Sequence, residues 1–175
     1  VGTGLLIYSE GNVVLNNVTA STNTNGNGVY IENYNSTTNG TVTLTGTNNF
    51  VDNRNTGLYV RSKGAIILSD VTANNSVADN GVWLDNDETG AVGGVTITGT
   101  NNVFSGNNDW GLGINSRGAV SLENITASGN KLEDGVYIDN AAGTGSVTLT
   151  GTLTFTNNGN AGSDDDGLYV RTQNS

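Results

Sequence analysis

Two aspartates stand at matching places in this chain, Asp85 in Val82-Trp83-Leu84-Asp85 and Asp139 in Val136-Tyr137-Ile138-Asp139. Paired carboxylates cleave glycosidic bonds, one as acid and one as base, with about 6.5–9.5 Å between them in inverting enzymes. If the two lie on parallel strands two spacings apart, about 9.6 Å separates them. Other catalytic chemistry is thin. The chain has no His and no Cys, which removes Ser-His-Asp triads, thiol nucleophiles, disulfides and the usual zinc sites. Neither a phosphate-binding P-loop nor the calcium-binding nonapeptide repeat occurs. The acidic turns Asp85-Asn86-Asp87-Glu88 and Asp164-Asp165-Asp166 offer the oxygen ligands that Ca2+ takes; solvated loops are the plainer reading, and no other cofactor is expected.

A second group of residues suits binding. Tyr30, Tyr59, Trp83, Tyr137 and Tyr169 each follow a Gly-Val or Gly-Leu pair, with Leu6 and Gly113 in the equivalent places. Apolar neighbours such as Val82 and Leu84 point to the inside of a strand, so period-two alternation sends the ring between them outward. Rings on successive strands about 4.8 Å apart stack into an exposed stripe. Such a stripe either stabilises the sheet or holds a glycan or another protein surface. Gly113 would leave a notch between Trp83 and Tyr137. The next outward column reads Tyr8, Glu32, Arg61, Asp85, Asn115, Asp139 and Arg171, and the alternating signs of Glu32, Arg61 and Asp85 predict weak surface ion pairs. Asp85 and Asp139 are copies of one repeat position, which speaks for repeat architecture rather than an asymmetric catalytic site.

The elements that place these residues come from an internal repeat. Gly4-Leu5-Leu6-Ile7, Gly57-Leu58-Tyr59-Val60, Gly111-Leu112-Gly113-Ile114 and Gly167-Leu168-Tyr169-Val170 are spaced 53, 54 and 56 residues apart. Half-way along each unit stand Gly28-Val29-Tyr30-Ile31, Gly81-Val82-Trp83-Leu84 and Gly135-Val136-Tyr137-Ile138. The repeats are therefore 4–56, 57–110 and 111–166, with a further coil starting at 167–175, all within one domain, 1–175. Each half carries a second alternating strand, as at Val42-Thr43-Leu44 and Ile66-Ile67-Leu68. One apolar residue marks a third strand: Val18, Phe50, Val71, Phe104, Ile125 and Phe155. The alternating bulk of that column lets a ring lie over a smaller neighbour and explains a unit of two coils. Asn23, Asn53, Asn74, Asn107, Asn130 and Asn157 follow the third strand, where Asn suits a sharp turn and can stack in a hydrogen-bonded ladder.

Three short strands in 24 to 32 residues with no helical stretch predict an all-β, parallel β-solenoid of about six coils. This periodicity resembles the pectin-lyase-like right-handed β-helix superfamily, which includes polysaccharide-degrading enzymes, tailspikes and surface adhesins. The resemblance covers the whole chain and implies a right-handed fold more than any one activity. Its catalytic members use tighter Asp clusters, or an Arg or Lys with Ca2+, walled by long loops.

The net charge of −10 opposes a nucleic-acid partner, and no run of about 18 apolar residues is present to enter a membrane. Asn makes up roughly a sixth of the chain, so sequons such as Asn17-Val18-Thr19 and Asn124-Ile125-Thr126 arise by composition. Thr-x-Thr pairs occur only in alternate coils, as at Thr43-Leu44-Thr45, which interrupts any ice-binding array and leaves β-propensity as their explanation. Both ends read as open coils that would pair with neighbouring repeats or with copies end to end. The expectation is a non-catalytic structural or adhesive segment of a larger secreted, bacterial surface or fibre protein. The alternative is a polysaccharide-binding or polysaccharide-cleaving β-helix.

Overall fold

The computed structural model describes residues 2–34, 39–160 and 165–173. Among these there is no helix, and every strand lies in one of three parallel sheets. The first sheet has seven strands: Leu5–Tyr8, Val29–Asn33, Leu58–Ser62, Val82–Asn86, Leu112–Ser116, Val136–Asn140 and Leu168–Thr172. The second stacks Val13–Asn16, Val42–Thr45, Ile66–Ser69, Val95–Thr98, Val120–Glu123 and Val147–Thr150. The third is made of the shorter strands Asn48–Asn49, Val71–Thr72, Asn102–Val103, Ile125–Ser128 and Thr154–Thr156, with Thr19 bridging to Asn49 in the first coil. Each strand pairs with its equivalent one coil away, so the chain is a β-solenoid of about six turns.

Alternation explains the first two sheets directly. Val29 and Ile31 are fully buried while Tyr30 and Glu32 are not, and Leu58, Val60, Val82 and Leu84 repeat the pattern. Val42, Leu44, Ile66 and Leu68 close the core from the second sheet. In the end coils Leu5, Ile7, Val147, Leu149 and Leu168 are only partly covered.

Short coils start at Gly4, Gly57 and Gly111, and long coils at Gly28, Gly81 and Gly135. In the coils from Gly28 and Gly81 the extra residues lie between the first and second sheets, for example from Asp87 to Gly94 against only Lys63 to Ala65 in the coil before. In the coil from Gly135 the extra length is divided between this place and the segment joining Thr154–Thr156 to Leu168–Thr172.

The third sheet departs from the expected register. Val71 pairs with Asn48 and Ile125 with Asn102, so the inward partners of the phenylalanines lie two residues further on. Phe155 sits opposite Ala127, and the same register puts Phe50 and Phe104 against Ala73. The column is thus Ala20, Phe50, Ala73, Phe104, Ala127, Phe155, not Val18 and Phe50 in one line. The reason is that Asn48 and Asn102 point inward although polar. Asn48 Oδ1 accepts the Val18 N–H at 3.2 Å, and Asn102 Oδ1 accepts that of Val71 at 3.1 Å. Their Nδ2 groups donate to Ser69 O at 3.0 Å and Glu123 O at 2.9 Å. A buried Asn so satisfied is no obstacle to packing.

The turn after the third strand carries an Asn ladder on slightly different residues. Asn23 Nδ2 donates to Asn53 Oδ1 at 2.8 Å, Asn107 to Asn130 at 3.1 Å and Asn130 to Asn158 at 2.9 Å. Ser76, not Asn74, fills the rung between Asn53 and Asn107, and Asn158 stands where Asn157 was expected. Asn157 instead takes positive φ of 54° at the bend itself.

Candidate functional site

The register places Leu6, Tyr30, Tyr59, Trp83, Gly113, Tyr137 and Tyr169 in one outward column of the first sheet. Tyr30 and Tyr59 stack with centroids 4.7 Å apart and planes 8° from parallel. Tyr137 and Tyr169 do the same at 5.3 Å and 4°. Stacking covers much of each ring, so Tyr30, Tyr59, Trp83 and Tyr137 are half-buried and only Tyr169 is exposed.

The expected notch at Gly113 is filled. Trp110, three residues upstream on the turn, lays its indole between Trp83 and Tyr137, with centroids 5.1 Å from each. A Cβ on Gly113 would lie 2.3 Å from Trp83 Cε3, so only glycine lets the Trp83 ring cross that strand. Trp110 lies outside the strand alternation, which is why the column did not reveal it. The signal available was that the one glycine in the middle of the stripe has a spare Trp close by in sequence.

The opening in the stripe lies elsewhere. One stack ends at Tyr59 and the other begins at Trp83; among the described residues no stack joins them. Between them is a cavity of about 210 Å3 lined by Thr56, Tyr59, Asp79, Asn80, Trp83 and Trp110. Asn80 organises its polar side. Asn80 Oδ1 accepts the Trp110 backbone N–H at 3.2 Å, and Asn80 N and Nδ2 donate to Asp79 Oδ1 at 3.0 and 2.8 Å.

Beside this cavity the turns carry stacked acids. Asp109 N donates to Asp79 O at 3.3 Å, which sets the two residues on consecutive coils. Burial, then the charge of Asp79, pushes Asp109 above the usual carboxylate range. Burial and the charges of Asp109, Asp165 and Asp134 do the same to Glu133. Asp134 is also raised by burial, although the Asp166 N–H bonded to it at 2.6 Å works against the shift. The Trp110 Nε1–H faces Asp134 without closing a hydrogen bond.

The charged column pairs in part as expected. Arg61 turns to Asp85, with Nε 3.3 Å from Oδ2, and to Glu88, while its guanidinium lies 4.0 Å above the Tyr34 ring. The Nε contact lacks hydrogen-bond angles, leaving that buried N–H unpartnered. Glu32 is taken by the Tyr30 hydroxyl, which donates to it at 2.6 Å and, with burial, is held well above its ordinary pKa. Asp139 receives Arg171 through Nε at 3.1 Å and through Nη2. Asn115 separates Asp85 from Asp139 in the sheet. Burial and the Asp87 carboxyl raise Asp85 against the pull of Arg61, whereas Arg171 lowers Asp139. Both carboxylates are thus engaged by an arginine. Among the described residues no three or more Asp or Glu side chains converge as metal ligands; Asp164 of the second acidic turn lies outside the described residues.

No protein-family model matches the chain, and comparison with curated proteins and with solved structures gave no significant match.

Proposed function

We propose that this chain is a non-catalytic shaft with an adhesive face, a segment of a large extracellular surface or fibre protein of bacterial type, built as a right-handed β-helix of the pectin-lyase-like kind. The observation that carries this reading is the pair of ring stacks along the outward face of the first sheet, Tyr30 with Tyr59 and Trp83 through Trp110 and Tyr137 to Tyr169. Flat apolar faces with polar edges suit sugar rings or the side of a neighbouring shaft. Asp85 and Asp139, the two carboxylates that could have formed a hydrolytic pair, are held in ion pairs, as in a structural ladder rather than a site that must activate water. Glycan-array binding and sedimentation of the intact chain test the proposal. Trp83→Ala should weaken glycan retention or lateral association while the circular dichroism spectrum stays that of folded β structure.

One observation favours a second reading. Asp85 is displaced upward and Asp139 downward, the split that an acid and a base require. Incubation with pectin, alginate or xylan decides between the two. Release of reducing or unsaturated sugars that disappears in Asp85→Asn or Asp139→Asn would replace the shaft reading with a polysaccharide-cleaving one.

A further inference from the structure

We infer that the opening between Tyr59 and Trp83 is a subsite for one amino-sugar residue of a glycan, a hexosamine carrying a free ammonium group. This rests on the adhesive reading above and names its ligand.

Tyr59 is braced by Tyr30 and Trp83 by Trp110, so both rings are held in place before any ligand arrives. The two line one open depression of about 210 Å3, with room between them for a single ring. Apolar walls with a few fixed polar groups are the general form of a small-ligand site. Here the polar groups are Thr56, Asp79 and Asn80. Asp79 is oriented through Oδ1 by Asn80, which leaves Oδ2 to meet a ligand.

Charge selects among sugars. Asp79 and Asp109 stack on consecutive coils, with Glu133 and Asp134 close beyond. An ammonium group gains from these carboxylates and from the ring faces of Trp83 and Tyr59 that are not stacked. A uronate or a sulfated sugar is repelled by the same groups.

Both tryptophans of the chain line the cavity, so intrinsic fluorescence reports on this site. The experiment titrates the intact chain with glucosamine tetramer, N-acetylglucosamine tetramer, tetragalacturonate and a lysine tetrapeptide, following tryptophan emission and calorimetric heat. Glucosamine tetramer should bind, its acetylated form about tenfold or more weaker, and tetragalacturonate not measurably. Tyr59→Ala and Asp79→Asn should each weaken the glucosamine tetramer by about tenfold or more. Tyr169→Ala, on the stripe but away from the cavity, should weaken it less than Tyr59→Ala does. Melting curves confirm that each variant is folded.

Binding that survives Tyr59→Ala, or that falls equally in Tyr169→Ala, overturns the subsite and leaves adhesion to the stripe as a whole. Lysine tetrapeptide bound as tightly as glucosamine tetramer overturns the sugar assignment. Silence of all four probes overturns the subsite, while the adhesive reading then stands or falls on the Trp83→Ala comparison in glycan-array binding and sedimentation.

Discussion

A Cβ placed on Gly99 would lie 2.5 Å from Asp70 Oδ1. The two residues face each other on consecutive coils at the bend between the second and third sheets. Both take positive φ, 45° at Asp70 and 105° at Gly99. Asp70 Oδ1 fills the space above the glycine and accepts the N–H groups of Thr100 at 2.8 Å and Asn101 at 3.1 Å. Asn17 with Gly46 and Asn124 with Gly151 repeat the arrangement, their Oδ1 atoms accepting Thr47 N and Thr152 N at 2.9 Å. Gly99→Ala therefore combines a clash with backbone strain and should cost about 1–3 kcal/mol. Asp70→Ala removes two inter-coil bonds at a similar cost, whereas Asp70→Asn, which copies Asn17 and Asn124, should cost least. Urea midpoints at unchanged m-value measure the ranking, and a neutral Gly99→Ala would contradict it.

The Phe and Ala alternation in the third sheet makes its own forecast. Phe104 is fully buried between Ala73 and Ala127. Phe104→Ala should cost about 3–5 kcal/mol. Adding Ala127→Phe restores the volume but sets a second ring against Phe155, so the double variant should remain at least as unstable as the single one. Thermal melts of the pair decide this; rescue by Ala127→Phe would show that total volume, not order, matters.

Ser76 interrupts the Asn ladder. Its N–H reaches Asn107 Oδ1 at 2.9 Å, but its own Oγ is buried without a hydrogen-bond partner. An amide at this place could donate as Asn107 does to Ala73 O, at 3.1 Å. Ser76→Asn should raise stability by roughly 0.5–1.5 kcal/mol, the net worth of a hydrogen bond. A lowered denaturation midpoint would mean that the rung has no room for the larger side chain.

Stability should also depend on pH in two opposite ways. Asp85, Asp109, Glu133 and Asp134 have folded pKa values raised, mainly by burial. The folded chain then holds protons more tightly than the unfolded one, so these groups disfavour folding at neutral pH. That penalty is relieved as pH falls through their raised values. Asp139 is lowered by Arg171; its stabilisation is present above the unfolded pKa and is lost as pH falls through the lowered folded value. Stability should therefore rise as pH falls from neutrality towards the ordinary carboxylate range at about 4, and the Asp139 contribution should be lost below that. Denaturant midpoints across this range test it, with Asp109→Asn flattening the rise and Asp139→Asn flattening the decline.

Much of this architecture was legible in the sequence because period-two alternation is strict in the first two strands of each coil. Val82 and Leu84 point in, Trp83 and Asp85 out, and the five aromatic positions fall in one column. The third strand was less legible because it is short and its inward face carries Asn48 and Asn102. Nothing in local hydropathy marks an inward amide whose partners are backbone groups one coil away. Trp110 escaped for a related reason: it reaches the stripe from a turn, where side-chain direction has no period. The Arg61–Glu88 pair likewise depends on the course of a long-coil loop, which spacing alone does not set.

Every alternation in the solenoid has the same wavelength. Phe faces Ala, Gly faces Asn or Asp at the bend, and long coils follow short ones. A lineage that gained or lost a single coil would bring either Phe onto Phe or Asn17-type side chains onto one another. Gaining or losing two would keep these alternations in phase. The length of such a protein is thereby quantised: it can be copied and shortened in blocks of 53 to 56 residues, and the phase of the pattern acts as a proofreader against odd-numbered changes.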